Sequence, residues 1–232
     1  MRCCCLTKYG TRELAILTVV LLPLTAILGF LVHPWPLGAA LAAVPLAVWL
    51  WALWFFRDPE RATPVEPGLL VAPADGVVTD ITPLGPQGLL GREGVQIGIF
   101  MSVFSVHVNR SPAGGVVQKI EHRDGVFLDV RRQEAWERNE SATIFMEVRH
   151  NGQALPLIFR QIAGLVARRI ITDIAPGQTL ARGQRMGMIK FGSRVEVLAP
   201  RELVGDIRVR IGQPVKAGLT VLAAAAKNGD TI

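Results

Sequence analysis

Two unbroken apolar stretches open the chain: Leu14 to Val32, nineteen residues without a charge, and Leu37 to Phe56, twenty more. About 20 apolar helical residues cross about 30 Å of hydrocarbon, so each stretch predicts a membrane helix. The break between them, His33-Pro-Trp-Pro36, predicts a hairpin tip. A cleaved leader is not expected, because its apolar core runs to only about 7–15 residues and ends in a small-residue cleavage site. Arg2, Lys8 and Arg12 precede the first stretch, and Arg57 and Arg61 follow the second. Positive flanks mark the cytoplasmic side, which makes 1–13 a cytoplasmic tail and 14–56 a hairpin with its tip outside. Trp49, Trp51 and Trp54 gather toward the end of the second stretch, where an aromatic belt at headgroup level belongs. Pro23, Pro45 and the tip sequence also permit a hairpin that dips into one leaflet. On either geometry the rest of the chain faces the cytoplasm at the cell membrane.

Past Arg57 the pattern changes to short apolar runs punctuated by Gly and Pro: Leu69 to Ala72, Val77 to Ile81, Val95 to Phe100, Val103 to Val108, Val116 to Ile120 and Thr143 to Val148. Such runs predict a mainly β (α+β) domain over 57–232, built as a sandwich or barrel. Ile162 to Ile171 reads equally as a helix or as a strand with a basic end. Near the carboxyl end Pro176-Gly-Gln-Thr-Leu-Ala-Arg-Gly183 is echoed by Ile211-Gly-Gln-Pro-Val-Lys-Ala-Gly218, offset by 35. Gly-Gln-x-apolar-x-x-Gly is the punctuation of small lipoyl-like sandwiches, each glycine supplying a tight turn. A carrier of that kind would need an acceptor lysine at an exposed hairpin tip; Lys190 stands between the copies, flanked by Ile189 and Phe191.

At 232 residues the chain has room for one ordinary domain and an appendage. Half of it is hydrophobic and mean hydropathy is +0.35, mostly because of the first 56 residues. A net charge of +6 and a pI near 9.8 suit an anionic partner. Beyond the apolar stretches the phenylalanines and Trp136 are not interleaved with basic residues, so no nucleic acid is expected; with a membrane segment present, anionic lipid is the partner. Cys3, Cys4 and Cys5 are adjacent and form neither a disulfide framework nor a metal site, so no metal is expected. They read as a juxtamembrane lipidation site or as incidental thiols in the tail.

Between the two glycine repeats stands Met188-Ile-Lys-Phe-Gly-Ser-Arg-Val-Glu-Val197. Its Phe191-Gly192-Ser193-Arg194 resembles the self-cleavage motif of the phosphatidylserine decarboxylase family. Phe55-Phe-Arg-Asp-Pro-Glu-Arg61, Pro73-Ala-Asp-Gly76, Phe104-Ser-Val-His-Val-Asn-Arg-Ser-Pro112 and Gln161-Ile-Ala-Gly-Leu-Val-Ala-Arg-Arg169 follow the order seen in its short, type A form. The resemblance covers essentially everything from Arg57 onward. It implies a proenzyme that cuts itself into 1–192 (the β chain) and 193–232 (the α chain), held together as a heterodimer. Ser193 becomes a covalent pyruvoyl group, which forms a Schiff base with phosphatidylserine and accepts the electron pair released with carbon dioxide, leaving phosphatidylethanolamine.

The chemistry explains the residue types. Attack of the Ser193 hydroxyl on the Gly192 carbonyl turns an amide into an ester and requires a turn that brings Oγ over the carbonyl carbon, an approach that glycine does not obstruct. Loss of the Ser193 α-proton then expels the Gly192 carboxylate, and hydrolysis releases ammonia. His107 is the candidate general acid and base, since both of its forms are accessible near neutral pH; otherwise it is a hydrogen-bonded strand histidine. Asp75 would orient His107 or assist Ser193, or simply close an Asx turn. Long members of the family carry His-x-x-His where this chain has His107 and Arg110, so the base for self-cleavage stays open. Arg110 and Arg194 are candidates for the substrate phosphate, since a guanidinium pairs bidentately with phosphate oxygens, with Arg168 and Arg169 behind them. Two rivals stand beside this reading: a pyruvoyl decarboxylase of a soluble amino acid, and a non-enzymatic membrane-tethered adaptor of lipoyl-like fold.

Overall fold

The computed structural model describes residues 5–31, 36–165, 169–190 and 192–226. Arg2, Cys3, Cys4, the tip residues His33, Pro34 and Trp35, Arg168 and Phe191 lie outside them. The chain divides into two compact units, Met1–Glu60 and Arg61–Ile232.

In the first unit, strand β1 (Cys5–Leu6) pairs with β2 (Arg57–Asp58), and between them run helices α1 (Thr11–Leu31) and α2 (Pro36–Phe55). At 1.5 Å per residue each helix is about 30 Å long, and both are long and apolar enough to cross a membrane. Their polar groups turn inward. Thr18 and Thr25 hydroxyls donate to the carbonyls of Leu14 and Leu21, at 2.7 Å each, and the Trp49 indole N–H donates to Thr18 Oγ1 at 3.0 Å. Apolar side chains such as Ile16, Val19, Val20 and Phe30 are left exposed, as a lipid-facing surface requires. At the end of α2 the Arg57 guanidinium lies 3.6 Å from the Trp54 ring centroid, a pairing suited to the interface.

The second unit is mostly β. Its strands are β3 (Leu69–Val71), β4 (Gly76–Leu84), β5 (Gly94–Met101), β6 (Val108–Arg110), β7 (Gly115–Arg123) and β8 (Ser141–His150). They continue as β9 (Gln153–Ile162), β10 (Ile170–Thr172), β11 (Thr179–Leu180) and β12 (Arg185–Ile189), then β13 (Ser193–Pro200), β14 (Asp206–Ile207), β15 (Pro214–Val215) and β16 (Val221–Ala224). A short helix, α3 (Gln133–Arg138), precedes β8. An eight-stranded antiparallel sheet runs β11-β7-β8-β9-β13-β5-β4-β15, and two three-stranded sheets run β10-β12-β6 and β14-β16-β3. Of the segment left open between helix and strand, Ile162 ends β9 and Ile170 and Ile171 belong to β10, while 166–168 lie outside the described residues. Val103 to His107 differs from its expectation: Ser105 N–H donates to the Ser102 carbonyl at 2.9 Å, and the two serine hydroxyls lie 3.3 Å apart, so a turn precedes β6.

The connectivity is duplicated. The eight-strand order reads alike from both ends once β4, β5, β13 and β15 are matched with β7, β8, β9 and β11. Ile97 pairs with Val197 as Ile144 pairs with Phe159, and Val197 pairs with Phe159 across the pseudo-dyad. A bulge after Val78 in β4 recurs after Val117 in β7, and the bulge between β16 and β3 recurs between β12 and β6. The four repeat glycines, 177, 183, 212 and 218, all take φ between +70° and +85°, which side chains rarely adopt. One half is thus the continuous segment Val108–Ile189, and the other is assembled from Leu69–Met101 and Ser193–Ala224. The sequence carries a second trace of this: Pro73-Ala-Asp-Gly-Val-Val78 against Pro112-Ala-Gly-Gly-Val-Val117.

β13 lies beside the pseudo-dyad, paired with β5 on one side and β9 on the other, and all eight of its residues are buried. Val195, Val197 and Ala199 join the main core with Ile97, Ile99, Ile144 and Phe159. Leu198 points to the other face, where it packs with Leu90 and Ile158.

Candidate active site

Ser193 is the first residue of β13 and faces the main core, as the alternation with Val195 and Val197 dictates. It is fully buried, and its hydroxyl reaches the thioether sulfur of Met101, its partner across the sheet, at 3.4 Å. Gly192 before it has φ +36°, a conformation that favours glycine. β9 ends beside this point, Ile162 pairing with Arg194, so that the following Ala163 and Gly164 run along the Gly192–Ser193 peptide. A Cβ on Gly164 would stand 1.8 Å from the Gly192 carbonyl oxygen, which makes the absence of a side chain there a condition of the geometry.

A buried polar chain reaches Met101 from the far side. The Thr172 hydroxyl donates to Gln161 Oε1 (3.2 Å), Gln161 Nε2 donates to Asn109 Oδ1 (2.8 Å), and Asn109 Nδ2 points at Met101 Sδ (3.8 Å). Asn109 and Gln161 are virtually inaccessible, so these bonds fix their rotamers. Neither was singled out from the sequence, although both lie within its matched motifs. The available signal was a polar residue inside an otherwise apolar strand.

His107 enters at the head of β6, two residues before Asn109, and is fully buried. Its Nδ1 lies 2.9 Å from the Ser105 carbonyl oxygen; a carbonyl only accepts, so Nδ1 carries a proton. Asp75 is placed otherwise. Arg61 holds both of its oxygens (2.5 and 2.9 Å) and the Ala217 N–H donates to Oδ1 at 2.8 Å. Among the described residues its hydrogen bonds run to these groups rather than to His107 or Ser193. Register extended past Gly76 puts Asp75 in the row that crosses the end of β5 to Gly192. Arg110 is buried at the other end of β6 from His107, about 10 Å along the strand, where its Nη1 donates to the Gly183 carbonyl at 3.1 Å.

Arg194 points to the face opposite Ser193 and is 1% exposed. Asp80 meets its guanidinium at 2.7 and 2.9 Å, Glu196 at 2.9 Å and the Thr79 hydroxyl at 2.7 Å, while the Trp136 ring centroid lies 3.7 Å from its Cζ. This is an internal strut that holds the second residue of β13 to β4. Burial raises the Asp80 carboxyl, but hydrogen bonds from Arg194 and Thr79 with the Arg194 charge outweigh it and hold the group below its usual range. The stabilisation is present above the unfolded carboxylate pKa, near 4, and is lost as pH falls through the lower folded value. Asp80→Asn is therefore expected to cost about 2 kcal/mol at neutral pH, less than a fully buried pair because Glu196 remains and Asp80 is partly solvated. Its urea midpoint should also fall less than the wild type's between neutral pH and about pH 3. Equal acid sensitivity in the two proteins would remove Asp80 from this account.

Exposed Arg169 lies close to the cleavage motif: its carbonyl accepts the Lys190 N–H at 3.3 Å. Lys190 itself is 6% exposed, so it is not the acceptor at an open hairpin tip that a carrier would need. The pseudo-dyad makes a further comparison, matching Ser193, His107, Asn109 and Gln161 with Leu155, Gly68, Leu70 and Ala199. The chemistry-bearing residues gather at one of the two pseudo-equivalent positions and come from both halves, Ser193 from the split one, Asn109 and Gln161 from the continuous one. A cavity of about 610 Å³ belongs to the other end, lined by Gly68, Arg149, His150, Arg208 and Ala224–Ala226.

Residues 49–223 match the family model for phosphatidylserine decarboxylase, and the chain belongs to this family of carboxyl-removing lyases. It is similar to the phosphatidylserine decarboxylase proenzyme of Paramagnetospirillum magneticum, 46% identical over 176 residues that make up 75% of this chain and 71% of that protein. The proenzymes of Geobacter metallireducens and Solibacter usitatus are 43% and 44% identical, over 82% and 81% of this chain and 93% and 85% of theirs.

Proposed function

We propose that the chain cuts itself between Gly192 and Ser193, that residue 193 becomes a pyruvoyl group, and that the product decarboxylates phosphatidylserine to phosphatidylethanolamine at the cytoplasmic face of the cell membrane. The carrying observation is the Gly192–Ser193 peptide itself: a buried hydroxyl against a sulfur, a glycine at φ +36° before it, and a carbonyl with no side chain facing it from Gly164. Membership in a family whose relatives are named proenzymes points the same way. These residues fit a pyruvoyl group, because the enclosed Ser193 site would keep water from a reactive carbonyl once the ester has been eliminated.

A pyruvoyl group supplies an electron sink for the pair left behind by carbon dioxide, so no diffusible cofactor is needed. The chain's own residues do the rest. His107, with Nδ1 tied to Ser105, would exchange a proton through Nε2. Met101, Asn109 and Gln161 hold residue 193 in place. Asp75, paired with Arg61 and in the register row of Gly192, joins the self-cleavage stage. Arg169, exposed and with its carbonyl bonded to the Lys190 N–H, is the favoured phosphate contact; Arg110 is a second, and Arg194 serves as the strut that keeps β13 seated. After the cut, 1–192 and 193–232 stay together as a heterodimer, because β13 remains hydrogen-bonded on both sides.

Detergent-solubilised protein should convert phosphatidylserine in mixed micelles to phosphatidylethanolamine without added pyridoxal phosphate or metal. Decarboxylation of free serine alone would move the reading to a soluble amino acid. For the hairpin, removal of residues 1–56 is expected to shift the protein from the membrane pellet to the supernatant. A truncated protein that still pellets after a high-salt wash would show that 14–56 is not the main anchor.

A further inference from the structure

We propose that Gly164 is a positioning residue for self-cleavage: its bare backbone forms the back wall against which the Gly192 carbonyl is held for attack by Ser193. The inference rests on the self-cleavage reading above and adds a residue to it. A Cβ at 164 would stand 1.8 Å from the Gly192 oxygen and 3.0 Å from its carbonyl carbon, while Val130 Cγ1 is the next neighbour at 3.5 Å. Gly164 is not among the glycines with positive φ, so its lack of a side chain answers to space rather than to backbone conformation.

The wall is rigid. Ala163, just before it, donates its N–H to the Glu140 carbonyl at 2.9 Å, and its own carbonyl accepts from Asn139 Nδ2 at 2.7 Å. Asn139 is fully buried and locked by two further bonds to the Leu128 backbone, at 2.8 and 2.9 Å. The Gly192 carbonyl therefore has a fixed surface on one flank.

In the acyl shift Ser193 Oγ adds to the Gly192 carbonyl carbon and the π pair moves onto the carbonyl oxygen. Collapse then expels the Ser193 nitrogen, which takes up the hydroxyl proton. Amide becomes ester with no other reactant. Misplacement of reacting atoms by about 1 Å costs about 100-fold in rate, and a methyl group at 1.8 Å from the oxygen displaces it by at least that much.

The test follows Gly164→Ala, expressed as the full chain, by the rate at which the uncut chain disappears and by hydroxylamine, which cleaves an ester at 192 but not an amide. Its thermal unfolding is compared in the uncuttable Ser193→Ala background. The expected result is a folded chain that matures at least about 100-fold more slowly and yields no hydroxylamine fragment, because the shift itself is blocked. Maturation at the wild-type rate would overturn the proposal, and so would an uncut but hydroxylamine-sensitive chain, since there the shift has proceeded. If Gly164→Ala does not fold, Asn139→Ser decides: it removes the amide behind Ala163 without entering the slot. Slowed, hydroxylamine-insensitive maturation supports the wall, and an unchanged rate in folded Asn139→Ser overturns it. A wild-type chain that never cuts sinks the underlying reading instead, and is recognised before any variant is made.

Discussion

Ser193→Ala is expected to give a single uncut chain with no decarboxylase activity, against two fragments, 1–192 and 193–232, from the wild type. The alanine removes the hydroxyl oxygen that would add to the Gly192 carbonyl while leaving the strand's pairing with Met101 untouched. Folding should therefore survive, and the effect on activity should be complete rather than partial. The wild-type small fragment should resist Edman degradation, because a pyruvoyl group has no free amine, and intact mass should show the loss of ammonia. Ser193→Cys keeps a nucleophile and is expected to cut slowly through a thioester. Active wild-type protein that is one chain with an ordinary serine at 193 would end the proposal.

His107→Ala comes next in size. Removal of a positioned acid–base group typically costs about 10²–10⁴ in rate, and here the loss is expected in turnover per cut molecule. The normalisation matters, because His107 could also serve the self-cleavage stage, where this chain has Arg110 in place of a second histidine. Counting product per pyruvoyl-bearing chain separates the two stages. A variant that matures and turns over like the wild type would take His107 out of the mechanism.

Much of this architecture was readable from spacing alone. Two apolar stretches of helical length gave the hairpin helices, and the Gly-Gln repeat marked four turns whose left-handed φ the structure shows directly. β9 was missed because Pro156 argues against a central strand. The structure accommodates it: β13 pairs with β9 only from Ile158 to Ile162, so Pro156 lies where that neighbour is absent. α3 was missed as well; at six residues it is too short for its periodicity to register. For the site, local motifs picked out Ser193 and His107, but no local pattern joins Met101, Asn109 and Gln161. Their contacts depend on pairing between strands distant in the chain. Arg194 shows the same limit: a basic residue next to a reactive serine suggests substrate, whereas alternation along β13 sends it to the other face.

The duplication has a consequence for the life of the cut protein. One half, Val108–Ile189, is continuous, but with the proposed cut after Gly192 the other needs Leu69–Met101 from one fragment and Ser193–Ala224 from the other. Before scission, folding is a unimolecular search along one chain; afterwards the same architecture can be regained only by two separate molecules meeting. Renaturation of the proenzyme should thus be independent of concentration, while recovery of the cut enzyme should fall with dilution. Maturation then works as a ratchet: a durable product can be made only from a chain that folded first, and an unfolded one is not readily made again.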